Sequence, residues 1–149
     1  MDTKKKLESD LKQAMRANDA VAKRTIRMAL TAIKLAEIDK GGDLDEGATL
    51  AILQKEIKGR RETIADAQKA NRPDMVAAAE EEISFLEQYL PRQLSPQELD
   101  DLARAAVTEA GATTPADMGK VMKILLPRTL GRATGDQVSQ AVRKFLQAG

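Results

Sequence analysis

Aliphatic side chains recur every three or four positions over almost the whole of this chain, and that spacing leaves little choice of fold. It matches the 3.6-residue turn of an α-helix, and no β-branched run alternates with the period of two that a half-buried strand requires. Leu7, Leu11 and Met15 fall at i, i+4 and i+8 and predict a first helix from about Asp2 to Arg16. Asn18-Asp19 breaks it. Val21, Ile26, Leu30, Ile33 and Ile38 predict a second helix over roughly Ala20 to Asp39, ended by Gly41-Gly42. Leu50, Leu53, Ile57 and Ile64 lie within about 60° of one another on a helical wheel and predict a third, from near Asp45 to about Ala70. Asn71-Arg72-Pro73 stops it. Pro73 suits the first turn of a fourth helix reaching Tyr89, with Met75, Val76, Ile83 and Leu86 inward.

Tyr89-Leu90-Pro91 closes this stretch, and a new kind of punctuation begins after it. Ser95-Pro96-Gln97-Glu98 carries a cap, a proline for the first turn and the glutamate of a capping box. Thr114-Pro115-Ala116-Asp117 repeats the pattern 19 residues later with Asp in place of Glu. Two such starts so close together imply short helices. Pro127, Gly131 and Gly135 punctuate the next stretch, and a last helix is expected from about Asp136 to Gln147. The expected architecture is therefore all-α. Residues 1–94 form a four-helix lobe of two antiparallel hairpins, with Pro91 to Leu94 as a short linker. Residues 95–149 form a smaller bundle of short helices.

Composition bounds the chemistry. Aromatic residues make up 2% of 149 residues, so the core must be aliphatic. The chain has no Cys and no His, which removes disulfides, thiolate metal sites and the usual general base. A Ser-Lys arrangement remains formally open, but Ser95 reads as a cap and Ser9, Ser84 and Ser139 occupy ordinary helical positions. There is no Walker-type loop and no GxGxxG, so nucleotide binding has no support. No cofactor is expected. No apolar stretch approaches the length of a membrane span and no leader is evident, so cytosolic residence is the default expectation. The net charge is +1. Residues 1–90 carry 16 basic and 17 acidic side chains, and residues 91–149 carry 8 and 6.

Three charged clusters stand out. Glu80-Glu81-Glu82 reads as a solvated, salt-bridged face or as part of a hard-metal site, but consecutive helical residues point 100° apart and cannot converge on one ion alone. Lys58, Arg60 and Arg61 form a basic cluster in which Arg60 and Arg61 flank the third helix's apolar stripe, either to pair with Glu81 or Glu82 on the facing helix or to contact phosphates. After position 110 the basic residues are Lys120, Lys123, Arg128, Arg132, Arg143 and Lys144, against Asp117 and Asp136. Composition permits a positive face that docks on phosphates, and equally a surface of unrelated solvated charges. Phe145 is the only aromatic nearby, so contact with a folded RNA backbone fits better than base stacking. Gly119, inside a helical pattern, costs about 1 kcal/mol against alanine and suggests close approach of another backbone or a ligand.

The motifs resemble the YqeY family. They are Lys58-Gly59-Arg60-Arg61-Glu62-Thr63, Asn71-Arg72-Pro73-Asp74-Met75, Glu82-Ile83-Ser84-Phe85-Leu86, and Tyr89-Leu90-Pro91-Arg92-Gln93-Leu94-Ser95. Asp117-Met118-Gly119-Lys120-Val121-Met122 and Gly131-Arg132-Ala133-Thr134-Gly135 continue the pattern, so the likeness covers essentially the whole chain. Three positions depart from it. Ala79 stands where a glutamate is expected, Asn71 where glycine is usual, and Lys123 where the family often has glycine. The resemblance implies a helical protein whose C-terminal lobe is similar to the tail of the amidotransferase subunit GatB, which grips tRNA rather than performing chemistry. A similar module is appended to some glutaminyl-tRNA synthetases. The resemblance carries three expectations: a tRNA-binding module, an adaptor docking on an amidotransferase or aminoacyl-tRNA synthetase, or a carbon–nitrogen ligase with glutamine as amido donor. No catalytic constellation for the third is visible in the sequence.

Overall fold

The computed structural model describes residues 2–146. Seven α-helices account for most of them: α1 (Thr3–Ala17), α2 (Ala20–Lys40), α3 (Glu46–Lys69), α4 (Pro73–Glu87), α5 (Pro96–Ala110), α6 (Met118–Thr129) and α7 (Gly135–Leu146). A single 3₁₀ turn, Pro115–Asp117, leads into α6. There is no strand among the described residues, and none of their helices is long and apolar enough to cross a membrane. Gln147, given to the last helix by the sequence pattern, lies outside the described residues.

Side-chain caps set the helix starts. Asp2, Asp19 and Asp45 accept the backbone N–H groups of Lys5, Ala22 and Ala48 at 2.8, 3.1 and 2.8 Å, each relieving a donor that the first turn leaves unpaired. Ser95 accepts from the Glu98 N–H at 3.1 Å and Glu98 accepts from the Ser95 N–H at 3.2 Å, the reciprocal box expected from the sequence. A further box, missed at the sequence level, opens α7. There the Gln137 N–H donates to the Thr134 hydroxyl at 3.1 Å and the Thr134 N–H donates to Gln137 Oε1 at 2.9 Å. The ends rely on left-handed residues. Asn18 (φ 54°) and Gly41 (φ 80°) terminate α1 and α2, and Asn71 (φ 55°) takes that conformation after α3. Asparagine tolerates it better than other side chains, which explains how this chain manages without the glycine usual there.

The chain divides into two compact units, one ending at Leu90 and the other beginning at Pro91. In the first, α1 packs on α2 and α3 on α4, while α2 also touches α3 and α4. Leu7, Ile26, Ile33, Leu53 and Leu86 are completely buried there. In the second, α5, α6 and α7 all pack on one another around Val121, Leu125, Val138, Val142 and Leu146. The sequence boundary after residue 94 moves four residues earlier. Pro91 to Leu94 is not a free linker, because the Leu94 N–H donates to the Arg132 carbonyl at 2.9 Å and Gln93 Nε2 donates to the Gly131 carbonyl at 2.7 Å.

Three inward assignments and one helix stop are corrected. Met15 is exposed and Ala14 is buried in its place, seven residues and so almost two full turns after Leu7, where Met15 at eight residues overshoots the buried face. Ile38 is exposed, and Val21 at the other end of the same stripe is only half-buried. Met75 is exposed, and the buried positions of α4 are Ala79, Ile83 and Leu86. Pro127 lies within α6, which runs on to Thr129; its missing N–H forgoes the bond to the Lys123 carbonyl without ending the helix.

Candidate functional site

The six cations singled out after residue 110 do not form one set. Arg128 reaches from α6 to α5, where Nη1 and Nη2 meet the two Glu109 oxygens at 2.8 and 3.0 Å. This pairing holds the Glu109 carboxyl below its usual range. Lys144 on α7 contacts both Asp100 oxygens on α5, at 3.1 and 3.2 Å. Arg132 is half-buried and donates from Nε to the Arg92 carbonyl at 3.0 Å. These three serve the fold: two join helices, and the third clamps the segment that begins the unit.

Lys120, Lys123 and Arg143 are different. Lys120 and Lys123 lie three residues apart on the side of α6 opposite its buried Val121, Leu125 and Thr129. Lys120 makes one loose contact, 3.9 Å to Asp117, whose carboxylate also accepts the backbone N–H groups of Thr113 (3.0 Å) and Thr114 (3.3 Å). Those amides, and then Lys120, hold the Asp117 carboxyl below its usual range. Lys123 and Arg143 are exposed and have no ion pair among the described residues. Arg143 lines a recess of about 110 Å³ with Pro115, Met118 and Leu146, which places it at the end where α6 begins.

Gly119 belongs to the same end. A Cβ there would meet nothing within 4 Å, so the close approach by another part of the chain that the sequence suggested is not found. The glycine instead leaves the outer surface of the first turn bare beside Lys120. Lys123, at a position where the family often has glycine, points into solvent and displaces nothing. Gly135 is equally open at the start of α7, whereas Gly131 is buried with φ 73° and its carbonyl accepts from Gln93.

The motif residues Tyr89 and Pro91 divide between the units. The Tyr89 hydroxyl donates to Asp10 Oδ2 at 2.5 Å, and its ring lies 5.8 Å from that of Phe85. Burial first, then the Asp10 carboxylate, pushes the phenol pKa far above its ordinary value. Pro91 opens the second unit, its carbonyl accepting from Gln93 Nε2 at 3.0 Å.

In the first unit the basic and acidic clusters meet. Arg60 Nε lies 3.8 Å from Glu82, Arg24 donates to Glu82 at 3.3 Å, and Arg61 pairs with Glu87 at 3.2 Å. The pairing of Arg60 with Glu82 is one the sequence anticipated. Among the described residues no three acidic side chains come together as a group able to hold a metal ion.

The described residues form a small all-α protein of two units, each with ion pairs between its helices. Its sequence matches the model of the Yqey-like protein family over residues 4–146, and the chain belongs to that family. It is 42% identical over 97 residues to "Altered inheritance of mitochondria protein 41, mitochondrial" of Vanderwaltozyma polyspora, covering 63% of this chain and 52% of the relative. The protein of the same name from Lachancea thermotolerans is 38% identical over 119 residues, 78% of this chain and 64% of the relative. That of Kluyveromyces lactis is 44% identical over 84 residues, 56% and 45%. The chain thus spans about half to two thirds of the length of these relatives. Their names overturn the expectation of cytosolic residence: the absence of an apolar segment said nothing about an organelle, and these relatives are mitochondrial proteins.

Proposed function

We propose that the protein is a non-catalytic binding module that attaches to the backbone of tRNA through Lys120, Lys123 and Arg143, in the setting of tRNA-dependent amidation or aminoacyl-tRNA metabolism. The observation that carries this reading is the state of the cations. Of the six candidates, these three stand clear of strong ion pairs: Lys120 and Lys123 on the outer side of α6, and Arg143 beside Met118 where that helix begins. A cation already bound to a carboxylate must give up that contact before it gains a phosphate. An unpaired one releases only the counterions condensed on the RNA. Family membership supports the reading, and the names of the relatives favour a mitochondrial setting for it.

The test is fluorescence anisotropy of labelled bulk tRNA at several salt concentrations. Three phosphate contacts predict a log–log salt slope of about −2 to −3. Absence of binding at low salt, or binding unchanged by charge reversal at Lys120, Lys123 and Arg143 together, would sink it. Glutamine- and ATP-dependent amidation of charged tRNA by the purified chain alone would overturn the non-catalytic part.

A further inference from the structure

The outer face of α2 is apolar where a solvent-facing helix should be polar. Met28, Leu35 and Ile38 are 49%, 60% and 66% exposed. With Val21, Arg24 and Thr31 they follow one another at intervals of three and four residues, so the six lie within about 100° of one another on the helix. The buried residues Ala22, Thr25, Ile26, Ala29 and Ile33 occupy the other side. Helix α2 therefore uses one face for its own core and carries a second on which Met28, Leu35 and Ile38 are exposed beside Arg24 and Thr31, Met28 also touching the Arg60 guanidinium at 3.6 Å. The second has the spacing of a coiled-coil seam, which places side chains to interlock with another helix.

Charge beside the seam says what that helix carries. Arg27 and Lys34, one heptad apart on the same flank, are exposed and have no ion pair among the described residues. Arg24 adds a third cation at the N-terminal part of the seam, 3.3 Å from Glu82. A second copy of this chain fits poorly. Antiparallel α2 helices would set Arg27 against Lys34 of the other copy, and parallel ones would set Arg24 against Arg24 within the seam. A helix with carboxylates on its flank meets Arg27 and Lys34 favourably.

We infer that the outer face of α2 is the docking surface for an amphipathic helix of a partner protein, apolar along one stripe and acidic beside it. Met28, Leu35 and Ile38 supply the contact, and Arg27 and Lys34 select the acidic flank. This surface lies on the first unit and is independent of the tRNA reading, which concerns the second.

The experiment uses the full chain and two labelled synthetic peptides about three heptads long, with Leu at the seam positions. One carries Glu on both flanks and the other Lys. The Glu peptide is expected to bind and the Lys peptide not. Leu35→Gln with Ile38→Gln should weaken binding about tenfold or more, equivalent to at least about 1.4 kcal/mol. Arg27→Glu with Lys34→Glu should shift preference toward the Lys peptide. All of these positions are exposed, so circular dichroism should report an unchanged melting profile and tRNA binding should be retained. The proposal is overturned if neither peptide binds, or if binding ignores these substitutions. It is equally overturned if the same residues instead drive self-association in sedimentation, or binding to vesicles of phosphatidylcholine and phosphatidylserine.

Discussion

Arg60 on α3 is held against Glu82 on α4 with Nε and Oε2 3.8 Å apart, and the two side chains are only 9% and 14% exposed. Arg60 also donates from Nη1 to the Glu56 carbonyl at 3.1 Å and contacts the Met28 sulfur at 3.6 Å. Its Nε–H has no hydrogen-bond acceptor among the described residues. Ala79, where the resemblance raised the expectation of a glutamate, lies one turn before Glu82 on the same helix and is buried. A buried guanidinium thus rests on Glu82 and, at 4.0 Å from Nη1, on the Glu56 carboxylate.

Removing the Glu82 carboxylate should therefore be costly. Glu82→Ala is expected to destabilise the first unit by about 3 kcal/mol, since a buried charge loses its principal partner. Arg61→Ala, which breaks the exposed pair with Glu87, should cost less than about 1 kcal/mol. Urea denaturation of the two variants checks the contrast. Ala79→Glu added to Glu82→Ala should recover part of the loss.

Gly131→Ala should cost about 1–2 kcal/mol, because its φ of 73° is left-handed and unfavourable for a side chain. The same residue offers the carbonyl that Gln93 holds at 2.7 Å. Gly119→Ala should instead be neutral or stabilising by up to about 1 kcal/mol, since its Cβ would enter open space on a helix. Thermal melts of both variants give the comparison. A loss for Gly119→Ala equal to that for Gly131→Ala would contradict the geometry.

The start of α5 carries a pH signature. Arg92, then the backbone and side chain of Ser95, hold the Glu98 carboxyl at about 2 against an ordinary value of 4.5. The folded value lies below the unfolded one, so the contribution of Glu98 is fully present above about pH 4.5 and is lost as pH falls toward about 2. Carboxyl carbon NMR should show Glu98 titrating with a depressed midpoint, and Arg92→Ala should move that midpoint upward.

Within the RNA reading five of the six cations should separate into two groups. Neutralising Lys120, Lys123 or Arg143 should each reduce the salt slope for tRNA by about 0.7–0.9 and weaken binding at low salt. Neutralising Arg128 or Lys144 should leave the slope unchanged, because each already faces a carboxylate on α5. Equal effects across all five would mean that ion pairing does not select the contacts.

The sequence by itself determined the helices, because the caps at Asp19, Asp45 and Ser95 and the stops at Gly41 and Asn71 act within a few residues of where they stand. It also determined the family, since the motif order is a property of the chain alone. Local period cannot say which of two apolar faces on α2 a neighbouring helix will cover. It therefore places Ile38 inward and does not separate Met28, Leu35 and Ile38 as a face of their own. Composition counts six cations in the second unit but not their partners. Glu109 lies 19 residues from Arg128 and Asp100 lies 44 from Lys144, and packing alone brings each pair together. The joining of Gln93 to Gly131 was decided in the same way, 38 residues apart. Short-range hydrogen bonding is written in neighbouring residues, whereas burial and ion pairing depend on which surfaces meet once the helices have formed.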